Sequence, residues 1–439
     1  MSDTRKRRRV AITGIGLVTP VGNDVASTWD ALLAGRSGGA AISKFDASGF
    51  PTRIAAEVKN FHADELIGDR KVLKYTNPSH RFMLVAAEQA IRDAGIRPTP
   101  ENGARWGCAV GAGMMTSEYD DLVVTHEHSA ADGALHTDKL LSDPTANDPM
   151  IFCRSQATAG IALLTRRYGI QGYATSVHTA CASGGQALGT ALKLIRRGAV
   201  DYALAGGFDS MISPIGLSGF CLLSALSTDN DTPQRASRPF DATRNGFLLG
   251  EGAGFVVLEE WNAARKRGAR IYAELAGDGN SLSSYRITDS PPDGDGPIQA
   301  MRAALEDAGA ATTDVDYLNA HGTSTGMNDR SETAATRVVF GDDVMRVNVS
   351  STKSTMGHLI AAAGAVEVAV CALAIDRGEM PVNANLVERD PDCDLNFVTG
   401  APRRQRIRVA MSNSFGFGGS NSCVVVRNPE EVDGVGGRT

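Results

Sequence analysis

YATSVHTACASGGQALGTALKLIRRGAVDYALAGG, Tyr173 to Gly207, is the stretch from which the fold is first legible. YATSVHT alternates and is rich in β-branched residues, as a strand is. From Ser183 the apolar positions Ala187, Leu188, Ala191, Leu192 and Ile195 recur at helical spacing. Arg196 and Arg197 fall in the last turn, where cations suit the negative helix end, and Gly198 supplies the stop. DYALAGG then predicts a second buried strand. Cys181 stands at the turn between the first strand and the helix. A cysteine there meets unpaired N–H groups and the positive end of the helix dipole, which favour thiolate and predict a lowered thiol pKa. Its collar of Ala182, Ser183, Gly184 and Gly185 is small enough for another backbone or a substrate to approach closely. The competing reading is that Cys181 is a small buried hydrophobe, as most free cysteines are.

The bulk numbers narrow the setting. A chain of 439 residues that is 42% hydrophobic can bury a large core in one large or two medium units. A net charge of −6 does not predict a polyanion-binding surface. Seven scattered cysteines without a CxxC pair argue against a disulfide framework and a zinc site, and fit a reducing cytoplasm. No run of about 18 apolar residues predicts a membrane span. The start, MSDTRKRRRV, has no apolar segment behind its basic run and is not a signal peptide; TRKRRR reads as a solvated terminus rather than a nucleic-acid arm.

Along the chain, VAITGIGLVTPVG (10–22) predicts a strand running into a glycine-rich turn, without the third glycine of a dinucleotide fingerprint. WDALLAG (29–35) and HRFMLVAAEQAIRDAG (80–95) predict helices, WGCAVGAG (106–113) a strand, and 38–80 an irregular connection. The polar stretch 116–150, with His126, His128 and His136 among acids, lacks firm metal-ligand spacing and predicts a surface excursion. AAEQAIRDAG (86–95) is echoed by AMRAALEDAG (300–309), each followed by about a dozen residues and a strand. VNVSSTK (347–353) then leads into the small-residue helix GHLIAAAGAVEVAVCALAIDRG (357–378). The recurrence predicts two duplicated α/β halves, residues 1–265 and 266–439, joined near Ala264–Arg270, with mixed or parallel sheets covered on both faces. Ligands gather beyond the carboxyl ends of strands in such sheets, where Cys181, His321 and Lys353 fall.

Two of the eight histidines, His321 in NAHGTSTGMNDRSE and His358 in SSTKSTMGHLIAAAGAVE, sit in Gly/Ser/Thr-rich turns of the kind that hold active-site loops. MSNSFGFGGSN (411–421) is a Gly/Phe loop between two strands, able to aim N–H groups at an oxyanion and to move. GIGLVTPVG, TACASG, ALSTDNDTPQRASRPFDATRNGFLLGEGAG, HGTST, STKSTMGHL and NSFGFGG occur in that order. Together they resemble the β-ketoacyl-acyl-carrier-protein synthases of the thiolase superfamily, the elongating type I/II enzymes (KAS II-like) in particular, from Val10 to about Arg427.

The resemblance implies a five-layer αβαβα thiolase-like fold, normally a homodimer, and a decarboxylative Claisen condensation of malonyl-acyl-carrier protein with an acyl chain held on Cys181. It implies that His321 and His358 act as neutral N–H donors to the enolate and that Lys353 pairs with Glu332 or Glu367. The N–H groups of Cys181 and Phe417 would form the oxyanion hole, with Phe417 also the gate. Thr323 and Thr325 would hold the pantetheine amides, and Phe220 would wall the tunnel. No metal or redox cofactor is implied beyond the carrier's phosphopantetheine, although the loop around Asn328 could hold a structural cation. The expected partner is an acyl carrier protein, with no nucleic acid or membrane. A thiolase would carry a second cysteine at the Gly/Phe loop, a starter-type synthase an Asn for one histidine, and a chain-length-factor subunit would lack the nucleophile.

Departures cluster where the acyl chain is expected: Met114, Met115 and Thr116 after the WGCAV strand, a longer stretch over 122–147, Tyr173 and Gln156. They predict a chain other than ordinary long-chain fatty acids. The alternative to primary fatty-acid synthesis is a type II polyketide or polyene ketosynthase paired with a chain-length-factor-like subunit. A non-catalytic carrier-binding subunit and a cysteine hydrolase are weaker alternatives, because Cys181, both histidines and Lys353 are all present.

Overall fold

The computed structural model describes residues 7–114, 118–143, 148–286 and 290–433. Ten strands form its main sheet: β1 (Val10–Val18), β2 (Trp106–Ala112), β3 (Ala174–Val177), β4 (Tyr202–Ser210), β5 (Glu251–Glu260), β6 (Ala273–Leu282), β7 (Val315–Asn319), β8 (Asn348–Ser350), β9 (Val409–Phe415) and β10 (Ser420–Arg427). Their order is β8-β7-β9-β10-β6-β1-β5-β4-β2-β3. Read outward from the centre, β1-β5-β4-β2-β3 and β6-β10-β9-β7-β8 are the same series shifted by five. Directions match too: β3, β2 and β4 are mutually parallel, as are β8, β7 and β9, and the next two strands of each set pair antiparallel. The sets meet along a short antiparallel seam, Ala11↔Glu274 and Ile12↔Ala273.

Six helices make the layers of this α/β, thiolase-like fold: α1 (Pro78–Ala94), α2 (Ala159–Tyr168), α3 (Ser183–Arg196), α4 (Asp295–Ala308), α5 (Gly326–Phe340) and α6 (Ala363–Arg377). α1 and α2 cover the first strand set, α4 covers the second with α5 packed against it, and α3 and α6 lie between the two sets. α6 is buried from Ala363 to Ile375 on every side, which is why its sequence is Ala, Val and Gly rather than an amphipathic stripe. α3 and α6 cross backbone to backbone. A Cβ on Gly184 would lie 2.7 Å from Ala365 N, and one on Gly364 2.7 Å from Gly185 N.

Several elements differ from the sequence expectation. Gly14 and Gly16 are not in a turn; they lie within β1, and a Cβ on either would lie 2.2 or 1.9 Å from the carbonyls of Ala90 and Ala86. Their smallness lets α1 pack onto the sheet. The helix predicted over 80–95 starts two residues earlier, because Asn77 caps it and Pro78 suits its first position. The excursion after β2 holds the short helices Tyr119–Ser129 and Thr137–Ser142; Met115 and Thr116 lie outside the described residues. Among the described residues no helix is long and apolar enough to cross a membrane.

Candidate active site

The site assembles where the two halves touch. β3 ends at Val177, and the chain passes through Ala180 with φ +50 into a 3-10 turn, Ala180–Ala182, that feeds α3. A non-glycine residue held in the left-handed region marks a backbone fixed by its surroundings. Here Thr179 N–H donates to Ser183 Oγ at 2.8 Å, and Ser183 Oγ–H donates to Ala180 C=O at 2.7 Å. The turn aims Cys181 into the interior, 2% exposed.

The second half brings both histidines to that sulfur. His358 Nε2 lies 3.1 Å from Cys181 Sγ. Its Nδ1 accepts the Ile360 N–H at 3.2 Å, and a backbone N–H can only donate. The ring's proton is therefore on Nε2, so His358 presents an N–H to the sulfur. His321 stands edge-to-face against His358 with ring centroids 5.3 Å apart. Burial, Lys353 and His358 hold the His321 pKa well below the usual histidine range; burial and Lys353 do the same to His358. Both rings are neutral.

The expected lowering of the Cys181 pKa is not what the structure gives. Burial pushes the thiol up to about 12, against the opposing pull of Lys353 and the hydrogen bonds to its sulfur from the backbone N–H groups of Phe417 and Cys181. Desolvation outweighs the helix terminus, so the resting group is a thiol and the surrounding donors act on charge only as it develops.

Lys353 pairs with Glu367, both fully buried. Burial holds the Glu367 carboxyl up, to about 7, despite the ammonium. Glu332, the other candidate partner, serves the backbone instead. It accepts the N–H groups of His321 and Gly322 at 2.8 Å each and Asn413 Nδ2 at 3.0 Å, and so fixes the segment that carries His321. Thr323 and Thr325 hydroxyls lie 2.9 Å apart on the wall of a ≈ 280 Å³ cavity that reaches Cys181, His321, His358 and Phe417. Phe220 and Phe417 rings are 6.4 Å apart, and both line a second, mostly apolar cavity of ≈ 860 Å³ on the other side of the Cys181 turn. Met114 lines that cavity. Gly416 lies against the turn: a Cβ there would sit 3.1 Å from Cys181 N.

Other contributors were not read from sequence. Phe247 packs edge-on against His358 at 5.4 Å and Phe415 against His321 at 5.7 Å. Asp209, at the end of β4, accepts the Ala361 N–H at 3.0 Å and so braces the turn that sets the His358 tautomer. Its place at the carboxyl end of a strand, in AGGFD, was the available signal.

The ligating atoms of Cys181, His321 and His358 lie within 4.8 Å of one another. A metal there would need a lone pair on His358 Nε2, which the Ile360 hydrogen bond gives a proton instead. Near the expected cation loop, Asn328 Nδ2 donates to Asp329 at 3.1 Å. Among the described residues the unpartnered buried oxygens are found elsewhere, on Asn23, Asn319, Thr352, Glu367, Ser412, Asn413 and Ser422.

A buried cysteine facing two neutral imidazoles across the seam of a duplicated sheet defines a thiolase-fold enzyme of acyl-thioester chemistry. The description "Beta-ketoacyl synthase, N-terminal domain" matches residues 7–264, and "Beta-ketoacyl synthase, C-terminal domain" residues 272–387. The chain belongs to the β-ketoacyl synthase family, the ketosynthases of fatty-acid and polyketide chain elongation. It is 41% identical over 426 residues to the 3-oxoacyl-acyl-carrier-protein synthase 2 of Coxiella burnetii (strain RSA 493 / Nine Mile phase I), covering 96% of this chain and 99% of that protein. Two solved structures superpose with TM-score 0.85, each covering 96% of this chain and 99% of the other: a type II polyketide synthase ketosynthase in complex with its acyl-carrier protein and bound to the hexaketide, at 32% identity, and the ishigamide ketosynthase/chain length factor, at 35%.

Proposed function

We propose that Cys181 takes an acyl group from a carrier protein's pantetheine thioester and that the two histidines drive its condensation with malonyl-carrier protein. The observation that carries this is the 3.1 Å contact between the Nε2–H of His358 and the Cys181 sulfur, with His321 beside it. In loading, the sulfur attacks the thioester carbonyl, its proton leaves on the departing pantetheine sulfur, and the Cys181 and Phe417 N–H groups stabilise the oxyanion. Malonyl-carrier protein then loses CO2, and its enolate oxygen receives hydrogen bonds from the two imidazoles. The enolate carbon attacks the Cys181 thioester and the tetrahedral intermediate expels the thiolate, leaving a 3-oxoacyl carrier. Neutral rings suit this work, because decarboxylation supplies the carbanion and no Cα–H has to be removed. Thr323 and Thr325 bind the pantetheine amides, and the Lys353–Glu367 pair keeps a fixed positive charge near both histidines.

The cognate partner is an acyl carrier protein. The chain works as a dimer, with itself or with a chain-length-factor-like subunit; the outer edge of β3 and the exposed Phe152 and Leu222 support such an interface. No metal or redox cofactor takes part. The test is incubation with octanoyl-carrier and malonyl-carrier protein, followed by intact-protein mass. An octanoyl adduct on the wild type that is absent from Cys181→Ala, then a 3-oxodecanoyl carrier, is the expected result. Release of free octanoate without malonyl-carrier protein would favour a cysteine hydrolase instead. No adduct from any primer would return the chain to a carrier-binding role.

A further inference from the structure

Ile360 belongs to two parts of the site at once. It is buried, and it forms part of the wall of the ≈ 860 Å³ apolar cavity beside Cys181, with Met114 and Phe220. Its backbone N–H makes the 3.2 Å hydrogen bond to His358 Nδ1. Of the two imidazoles only His358 is held in this way: among the described residues His321 Nδ1 has no hydrogen-bond partner. The Ile360 bond lies at the long end of the normal range, with room to tighten as the site is used. The residue is also strained. Its φ is +46, and a β-branched side chain in the left-handed region persists only where its surroundings impose it. Here they pin the chain on both sides. Before it, His358 N–H donates to Leu248 C=O at 2.7 Å and His358 C=O accepts Gly250 N–H at 2.9 Å. After it, Ala361 N–H is held by Asp209 at 3.0 Å, and a Cβ on Gly207 would lie 2.8 Å from the Ala361 carbonyl oxygen.

We infer that Ile360 is a positioning residue through which the acyl chain, once on Cys181, sets His358 for condensation, so that chain length is read at that step as well as at loading. The inference rests on the condensing function proposed above. Methylenes packed against the Ile360 side chain gain dispersion contacts with it. Those contacts favour the strained backbone that keeps the Ile360 N–H on Nδ1, and with it the Nε2–H of His358 aimed at the enolate oxygen. A chain too short to reach the side chain brings no such bias. Attack by the Cys181 sulfur and the oxyanion hole do not depend on it.

Protein acylated on Cys181 with acetyl, butyryl, hexanoyl or octanoyl groups, to an extent read by intact mass, would be mixed with malonyl-carrier protein and followed through a single turnover. In the wild type the condensation rate should rise with chain length, the octanoyl enzyme reacting about tenfold faster than the acetyl enzyme. Ile360→Gly keeps the N–H and suits the left-handed backbone but lacks the side chain. Its melting curve checks the fold, and its octanoyl and acetyl enzymes should condense within about twofold of each other. Ile360→Leu, which restores an apolar contact, should recover most of the ratio. Equal rates for the acetyl and octanoyl forms of the wild type, or a ratio unchanged in Ile360→Gly, would overturn the inference and leave the condensing function standing. Failure of every primer to acylate Cys181 in the wild type would overturn both.

Discussion

The two halves of the molecule are built alike and equipped differently. Each runs its five strands in the same order and sends a central helix into the layer between the sheets. Each starts that helix from a 3-10 turn whose first residue is in the left-handed region, Ala180 at φ +50 and Ile360 at φ +46. The first turn carries Cys181 in its middle position; the second carries Ala361 there, and its backbone serves the neighbours instead. The Ile360 N–H sets the tautomer of His358 and the Ala361 N–H binds Asp209 across the seam. In the reaction proposed above, one device presents the nucleophile and its copy orients the imidazole that acts on it.

That division can be broken at its two ends. Cys181→Ala should abolish acyl loading altogether, whereas His321→Ala should leave the acyl adduct and lower condensation by about 10²–10³-fold, as loss of one donor to a developing oxyanion does. Intact mass reads the first step and single-turnover product formation the second; loss of loading in His321→Ala would mean that the halves do not separate the steps. Next in size, Glu367→Gln leaves the Lys353 ammonium buried without its counter-charge and should cost about 3–5 kcal/mol in a urea melt.

The contact between the central helices sharpens the comparison further. Gly364→Ala drives a Cβ against Gly185 N and should cost about 1–3 kcal/mol. Gly326→Ala, with nothing near its Cβ and no left-handed backbone, should be within about 0.5 kcal/mol of wild type. Equal melts for the two would show that the helix crossing is not tight. The smallest effect concerns Asp209, the acid that ties β4 to the second turn. Burial raises its pKa to about 7, above its unfolded value, so its contribution to stability is complete below about pH 4 and is lost as pH rises through 7. Asp209→Asn removes that dependence, so its melting temperature should gain on the wild type by a few degrees between pH 5 and pH 8. A constant difference across that range would contradict the raised pKa.

Much of this site was legible before any fold was known, because it is written in short segments. Cys181 at a strand-to-helix turn, His321 and His358 in small-residue turns, and the Gly416–Gly419 loop each have a local signature. Lys353 needed a partner, and the sequence offered Glu332 and Glu367 without separating them: both lie in helices after the histidine turns, and only packing shows that Glu367 faces the ammonium while Glu332 faces the His321 backbone. Gly14 and Gly16 were misplaced in a turn for a related reason. A glycine in a strand and a glycine in a turn look alike until the helix that crosses it is known.

The amino-acid sequence by itself determined the strand–helix alternation, the internal repeat, the turn that carries Cys181 and the turns that carry the two histidines, because periodicity, turn chemistry and residue type act over a few neighbours. The tertiary structure alone decided the protonation of the site and the company it keeps. Burial held the Cys181 thiol up and both imidazoles neutral, the Ile360 N–H chose the His358 tautomer, and β4 brought Asp209 to the Ala361 N–H of the second turn. Desolvation and hydrogen-bond geometry depend on which distant segments exclude water from a group, and that is settled only when the chain has closed around it.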